Sequence, residues 1–287
     1  MNAIANGFYG DWLAQRGNPL ALPMQVLQDG VAVNPESPEI QSPQSTLIVL
    51  IHGLMGSETV WDYPEHAGQN YATDLAAVLP ATPLCLRYNT GMAIAHNGSE
   101  LNAVMEALVA AWPVAIERIV LIGHSMGGLV IRSACHQAVQ ANQAWVDQVR
   151  QCVYIGTPHD GSWLAKSAER TARLMRTMPR DYARAVGGVV ESRSAGIENL
   201  GRDCADNDAL HPFLTSAEHF AVSGSLAKNR FNPARQLWGD GLVHPSSAHA
   251  NGANNIQWKG QASFHGVGHV TLAHHPTVSR QLERWLA

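Results

Sequence analysis

One stretch limits what this chain can fold into more than any other: Val120-Leu121-Ile122-Gly123-His124-Ser125-Met126-Gly127-Gly128-Leu129. It begins as an apolar run, passes through glycines around a serine, and continues as a helical pattern. It therefore reads as a strand, a sharp turn and a helix, with Ser125 at the apex. The small residues have a mechanical reason, because a side chain at Gly123 or Gly127 would collide with the adjoining strand or helix. The turn pushes the Ser125 hydroxyl out of the sheet. The helix start behind it offers backbone N–H groups and a positive dipole end where an oxyanion would form. The competing reading is a plain glycine-rich turn with serine there by accident. The rest of the chain decides between the two.

Other segments repeat the theme. Leu47-Ile48-Val49-Leu50-Ile51 is a continuous apolar run, the pattern of a strand buried on both faces of a parallel sheet, and it ends in His52-Gly53-Leu54-Met55-Gly56. Residues 149–155 form another such strand, ending in Gly156-Thr157-Pro158-His159. Shorter strands are expected at 24–27, 83–87, 118–122, 219–223 and 261–265. Helices are expected at 74–79, 100–111, 126–140 and 276–286, with no more than a helical turn at 8–13. Strands alternating with helices predict a mostly parallel sheet flanked by helices, an α/β fold. Ligands then sit beyond the strands' C-terminal ends, so the His52, Ser125 and Thr157 turns should meet at one rim.

The alternation stops between 160 and 217. A structureless loop of that length is improbable on general grounds, which predicts a helical insertion acting as a lid or cap on a single domain spanning 1–287. Leu164, Met175 and Met178 recur at helical spacing there and are the expected acyl-chain contacts. Lys166, Arg170, Arg173, Arg176, Arg180 and Arg184 outnumber Glu169 and Asp181. A solvated lid face accounts for that excess, and contact with an anionic lipid surface or an acidic substrate is the sharper alternative. The formal net charge of −4 disfavours a nucleic-acid partner. No apolar run is long enough to cross a bilayer, and the first residues lack a basic start and an apolar stretch, which sets a cytoplasmic expectation. Cys85, Cys135, Cys152 and Cys204 show no Cys-x-x-Cys pairing, so neither a zinc site nor a disulfide framework is expected.

A serine hydroxyl needs a base to take its proton and a further group to orient that base. Asp240, in Trp238-Gly239-Asp240-Gly241-Leu242-Val243, is one candidate acid, with a simple Asp-Gly turn as its bland reading; Asp160 is its rival. Fourteen histidines crowd the choice of base. His269 lies in a loop between the last strand and the last helix. His265 sits on the strand itself, and His274 and His275 stand beside the helix start. His52, Gly53 and His124 flank the candidate site as substrate-binding residues, and His124 and His159 sit at turn positions where histidine often packs or bonds backbone.

Taken together the chain resembles a bacterial serine esterase or lipase of the α/β-hydrolase superfamily, closest in style to its lipase and GPI-inositol-deacylase-like branch. The matching pieces are Ile51-His52-Gly53-Leu54-Met55-Gly56, Gly123-His124-Ser125-Met126-Gly127-Gly128, Gly156-Thr157-Pro158-His159-Asp160-Gly161-Ser162, Gly239-Asp240-Gly241-Leu242-Val243 and Gly268-His269-Val270-Thr271-Leu272. His244 departs from the pattern, where many relatives continue Val-Pro directly. The resemblance implies an acid and a base later in the chain than the serine, hence Ser125, Asp240 and His269 as a triad. It also implies an oxyanion hole from the Leu54 and Met126 N–H groups. The expected activity is hydrolysis of a small-molecule or lipid ester, with peripheral membrane contact allowed. Some secreted lipases of this kind bind a structural calcium, but no ligand set for one is matched here, and the chemistry requires neither metal nor other cofactor. An acyltransferase using the same acyl-enzyme is the alternative within enzymes, and a ligand-binding protein on the same fold is the alternative outside them.

Overall fold

The continuous apolar runs become strands because alternate side chains serve two different cores. In β3 (Thr46–Ile51), Leu47, Val49 and Ile51 join one buried cluster. Ile48 and Leu50 join the other. In β5 (Arg118–His124), Ile119 and Leu121 likewise oppose Val120 and Ile122. A strand covered on both faces has no solvent side, so period-2 alternation between polar and apolar residues disappears. The first cluster is completed by α3 (Ile94–Ala110) and α4 (Met126–Gln140). The second is completed by α2 (Tyr71–Val78) and the closing helix α5 (Pro276–Leu286). Each face is thus a separate core.

The computed structural model describes residues 2–159, 211–227, 240, 243, 245–249 and 256–287. Leu164, Met175, Met178, Asp160 and the basic residues expected on the insertion lie outside them. With β1 (Gln25–Gln28), β2 (Val31–Val33), β4 (Ala81–Arg87), β6 (Val149–Ile155), β7 (Glu218–Ser225) and β8 (Gly260–His265), the eight-stranded sheet has the order β2-β1-β4-β3-β5-β6-β7-β8. Every pairing from β4 to β8 is parallel, and β1 and β2 add an antiparallel edge. The mostly parallel sheet expected from the alternation is therefore present.

The structure extends three of the expected elements. A helical turn was expected at 8–13, whereas α1 runs over Asn2–Gln15. Gly7 and Gly10 weaken that helix locally, and tertiary contacts with the Met55 and Asn89 side chains override the weak propensity. Beyond the strand expected at 24–27, β2 returns as a hairpin, closed by Asp29 (φ 49°) and Gly30 (φ 80°), the two left-handed positions of a tight two-residue turn. Helix α3 starts six residues before the expected Glu100, at Ile94, since Asn97 and Gly98 are buried. A methyl group at Gly98 would lie 2.5 Å from Ser133 Cβ, so the glycine marks close approach of α3 to α4, not a break.

Candidate active site

Because the strands are parallel, the turns after β3, β5, β6 and β8 gather at one rim. Ser125 sits between β5 and α4 with φ 54° and ψ −123°, a region where a residue bearing a side chain is strained. The surroundings impose it. A methyl group at Gly123 would come 2.5 Å from the Gly128 nitrogen, and one at Gly127 would come 2.6 Å from the His52 carbonyl oxygen. The Ser125 N–H donates to the Ile155 carbonyl at 2.9 Å, which ties the turn to the next strand.

The structure brings Ser125, His269 and Asp240 into one hydrogen-bonded line. His269 Nε2 lies 2.8 Å from Ser125 Oγ. His269 Nδ1 lies 2.8 Å from Asp240 Oδ2. A carboxylate can only accept, so Nδ1 carries the proton and Nε2 is left to accept from the serine hydroxyl. The other Asp240 oxygen, Oδ1, accepts the Val243 N–H at 2.6 Å. His269 and Asp240 are also joined through backbone, N–H to carbonyl, at 3.0 Å. Both side chains are buried. Gly224, near the end of β7, leaves room for Asp240, since a methyl group there would sit 3.0 Å from Asp240 Cβ. Gly156 leaves room for the His269 ring, since a methyl group there would sit 3.2 Å from His269 Nδ1.

The flanking histidines behave differently. His52 is fully buried; its Nδ1–H donates to the Gly53 carbonyl at 2.9 Å. Its ring stacks on Tyr88 with centroids 4.5 Å apart. Burial pushes its pKa down to about 4. His124 donates from Nε2 to the His269 carbonyl at 3.0 Å. Burial, aided by the neighbouring His269, pushes its pKa down to about 3. Neither ring points at Ser125 Oγ through a hydrogen bond among the described residues. His159 is buried as well, and its Nδ1 accepts from Arg132 Nη1 at 3.2 Å. His274 bonds the Val60 carbonyl, and His275 caps α5 by accepting from the Thr277 N–H. His265 ends β8, opposite Ser225.

At the neighbouring turn, Gly53 stands so close to the serine that a methyl group there would lie 2.8 Å from Ser125 Cβ. The Met55 N–H donates to Thr90 Oγ1 at 3.0 Å and the Gly56 N–H to the Gly53 carbonyl at 3.1 Å. Among the described residues, the Leu54 and Met126 N–H groups have no acceptor. Thr90 was not singled out in the sequence. Its signal was its position just after β4, since loops at the C-terminal ends of parallel strands converge on the ligand site. Among the described residues no cluster of His, Cys, Asp or Glu is arranged to hold a metal ion, and no helix is long and apolar enough to cross a membrane.

Comparison with known proteins agrees with this architecture. Residues 41–178 match the family described as "Putative serine esterase (DUF676)". Among solved structures, a lipase from Bacillus licheniformis in its mature form superposes with a TM-score of 0.55 at 19% identity, covering 86% of this chain and 94% of that one. An α/β-hydrolase fold protein from Chitinophaga pinensis gives 0.54 at 13% identity, covering 92% and 97%. An esterase from Pyrococcus furiosus gives 0.54 at 14% identity, covering 86% and 84%. Comparison with curated proteins gives no match. By strand order, by the serine turn between β5 and α4, and by these structural likenesses, the chain has the α/β-hydrolase fold.

Proposed function

We propose that the protein is a carboxylic-ester hydrolase in which Ser125, His269 and Asp240 act as a catalytic triad. The line from Ser125 Oγ through His269 to Asp240, with both links at 2.8 Å, is the observation that carries this reading. The match over 41–178 and the esterase and lipase neighbours support it. His269 Nε2 takes the hydroxyl proton as Ser125 Oγ attacks the acyl carbon. Asp240 holds the imidazole in the required tautomer and stabilises the imidazolium that forms. The oxygen that becomes negative is held by the Leu54 and Met126 N–H groups. Each such donor is worth roughly 3–4 kcal/mol in comparable sites. When the tetrahedral intermediate collapses, His269 returns the proton to the departing alcohol. A water, deprotonated by the same ring, then releases the acid and restores the serine.

His52, Gly53 and His124 border the site as its proposed substrate-side residues, the two rings packed in the interior, and take no proton in this scheme. Their burial keeps the two rings neutral at ordinary pH. The acyl chain is assigned to Leu164, Met175 and Met178 of the insertion. The test is a series of p-nitrophenyl esters from acetate to decanoate, with the product analysed in the presence and absence of added alcohol. Release of free acid from the series supports the hydrolase. Ester product dominating whenever alcohol is added would make the protein an acyltransferase, and no turnover of any ester would overturn the reading.

A further inference from the structure

The turn that carries Leu54 is held from outside the strand that leads into it. Met55 has φ 60°, a left-handed conformation that a residue with a side chain adopts when its surroundings impose it. Two sets of neighbours do so. On one side the Met55 N–H donates to the Thr90 hydroxyl at 3.0 Å, and Thr90 is 1% exposed. On the other side lies α1, where a methyl group at Gly7 would overlap the Met55 side chain and one at Gly10 would overlap the Asn89 amide.

The same contacts lock α1 to the loop that carries Thr90. Asn89 Nδ2 donates to the Gly10 carbonyl at 2.9 Å, and Asn89 Oδ1 accepts from the Gly91 N–H at 3.1 Å. Asn97 Nδ2 donates to the Asn89 carbonyl at 3.1 Å. A methyl group at Gly91 would come 2.7 Å from the Gly10 nitrogen. Asn6, buried on α1, anchors the segment that follows the helix: its Nδ2 donates to the Leu20 carbonyl at 2.7 Å and its Oδ1 accepts from the Leu22 N–H at 2.9 Å. The glycines that weaken α1 therefore sit where it meets Met55 and Asn89.

We propose that Thr90 and helix α1 are positioning elements for the oxyanion hole: they hold Met55 in its left-handed conformation and so fix the Leu54 N–H. The inference rests on the reading of Leu54 as an oxyanion donor. Thr90 touches no reacting atom and acts through Met55. A donor aimed at an oxyanion contributes more to the transition state than to the bound ester, so loosening it lowers kcat and leaves KM nearly unchanged.

Thr90→Val keeps the shape of the side chain and removes the acceptor, whereas Thr90→Ser keeps the hydroxyl. On p-nitrophenyl butyrate, Thr90→Val should lower kcat by about ten- to a hundredfold with KM within about twofold of wild type. Affinity for a trifluoromethyl ketone, whose adduct with Ser125 carries an oxyanion, should fall by a similar factor. Thr90→Ser should recover most of both losses, and full-length Gly7→Val, a wedge between α1 and Met55, should move kcat in the same direction as Thr90→Val. Hydrogen exchange at the Leu54 and Met55 amides should be faster in Thr90→Val, a readout independent of turnover. Unchanged kcat and ketone affinity in Thr90→Val, a loss confined to KM, or a loss that Thr90→Ser does not restore would each overturn the proposal. If the wild-type protein hydrolyses no ester and takes no fluorophosphonate, the esterase reading itself falls. The exchange rates then decide whether Thr90 holds the turn, and unchanged rates in Thr90→Val would overturn that too.

Discussion

Strands β3 and β5 run side by side, Ile51 opposite Gly123, and each ends in a glycine turn at the same rim. The turns are held by different means. The Ser125 turn is held by backbone against backbone: Gly123 on Gly128, Gly127 on the Ile51 and His52 carbonyls, and the Ser125 N–H on Ile155. The His52–Met55 turn is held largely by side chains brought from elsewhere. Thr90 accepts from Met55, the Tyr88 hydroxyl donates to the His52 carbonyl at 2.7 Å, and α1 covers the far side. A turn locked by backbone contact has no adjustable part, so damage to it should be all or nothing. A turn held by separate side chains can be loosened in steps.

The largest effects are expected at the first turn. Ser125→Ala should lower ester turnover by about a millionfold with circular dichroism unchanged, because alanine fits the same space. Asp240→Asn should cost about ten-thousandfold, since the amide no longer fixes the His269 tautomer. Retention of a tenth of the activity in Ser125→Ala would make that turn structural only. Gly127→Ala is expected to act on folding: its methyl group would press into the end of β3, and overpacking of this kind costs roughly 1–3 kcal/mol or more. Urea unfolding would measure it, and a wild-type midpoint would show that β3 and α4 can separate more easily than their packing implies.

How much of this could be read from the sequence follows the same division. The Ser125 turn was legible because the residues that answer its constraints stand within a few positions of one another. Glycine at 123 and 127 meets a close approach whether the partner is local, as Gly128 is, or distant, as Ile51 and His52 are. The strands on either side were legible as continuous apolar runs. What was not legible depends on distant partners: Thr90 is 35 residues from Met55, and His124 bonds a carbonyl 145 residues away. No local pattern records such pairings. The full length of α1 was hidden for a related reason, since its glycines read as helix breakers until their neighbours are known. His269 was singled out among fourteen histidines by its loop position and by the resemblance, not by any local chemistry.

Each turn also contains one buried histidine, and this gives a third, smaller test. Burial lowers His52 to about 4 and His124 to about 3, against 6.5 for an unperturbed ring. A lowered value in the folded state means that the unfolded chain binds protons first as pH falls. Stability is therefore full above about pH 6.5 and is lost as pH drops toward 4, by up to about 1.4 kcal/mol per pH unit for each ring. Urea unfolding at pH 7 and pH 5.5 should show the loss, and His124→Gln should remove part of the slope. An unchanged slope in that variant would mean that His124 titrates freely in the fold.

The smallest effect concerns the insertion. If Met175 and Met178 line the acyl site, catalytic efficiency should rise from acetyl to medium-chain esters by up to about 0.8 kcal/mol per methylene. The double alanine variant should flatten that rise while keeping acetate hydrolysis. A chain-length profile identical to wild type would remove those residues from the site.

The central claim is that His269, oriented by Asp240, activates Ser125, and covalent labelling tests it without any assumption about substrate. The wild-type protein treated with a fluorophosphonate should gain the mass of one adduct, mapped to Ser125, and His269→Ala should label slower by orders of magnitude. An adduct on another residue, or labelling of His269→Ala at the wild-type rate, would contradict the account.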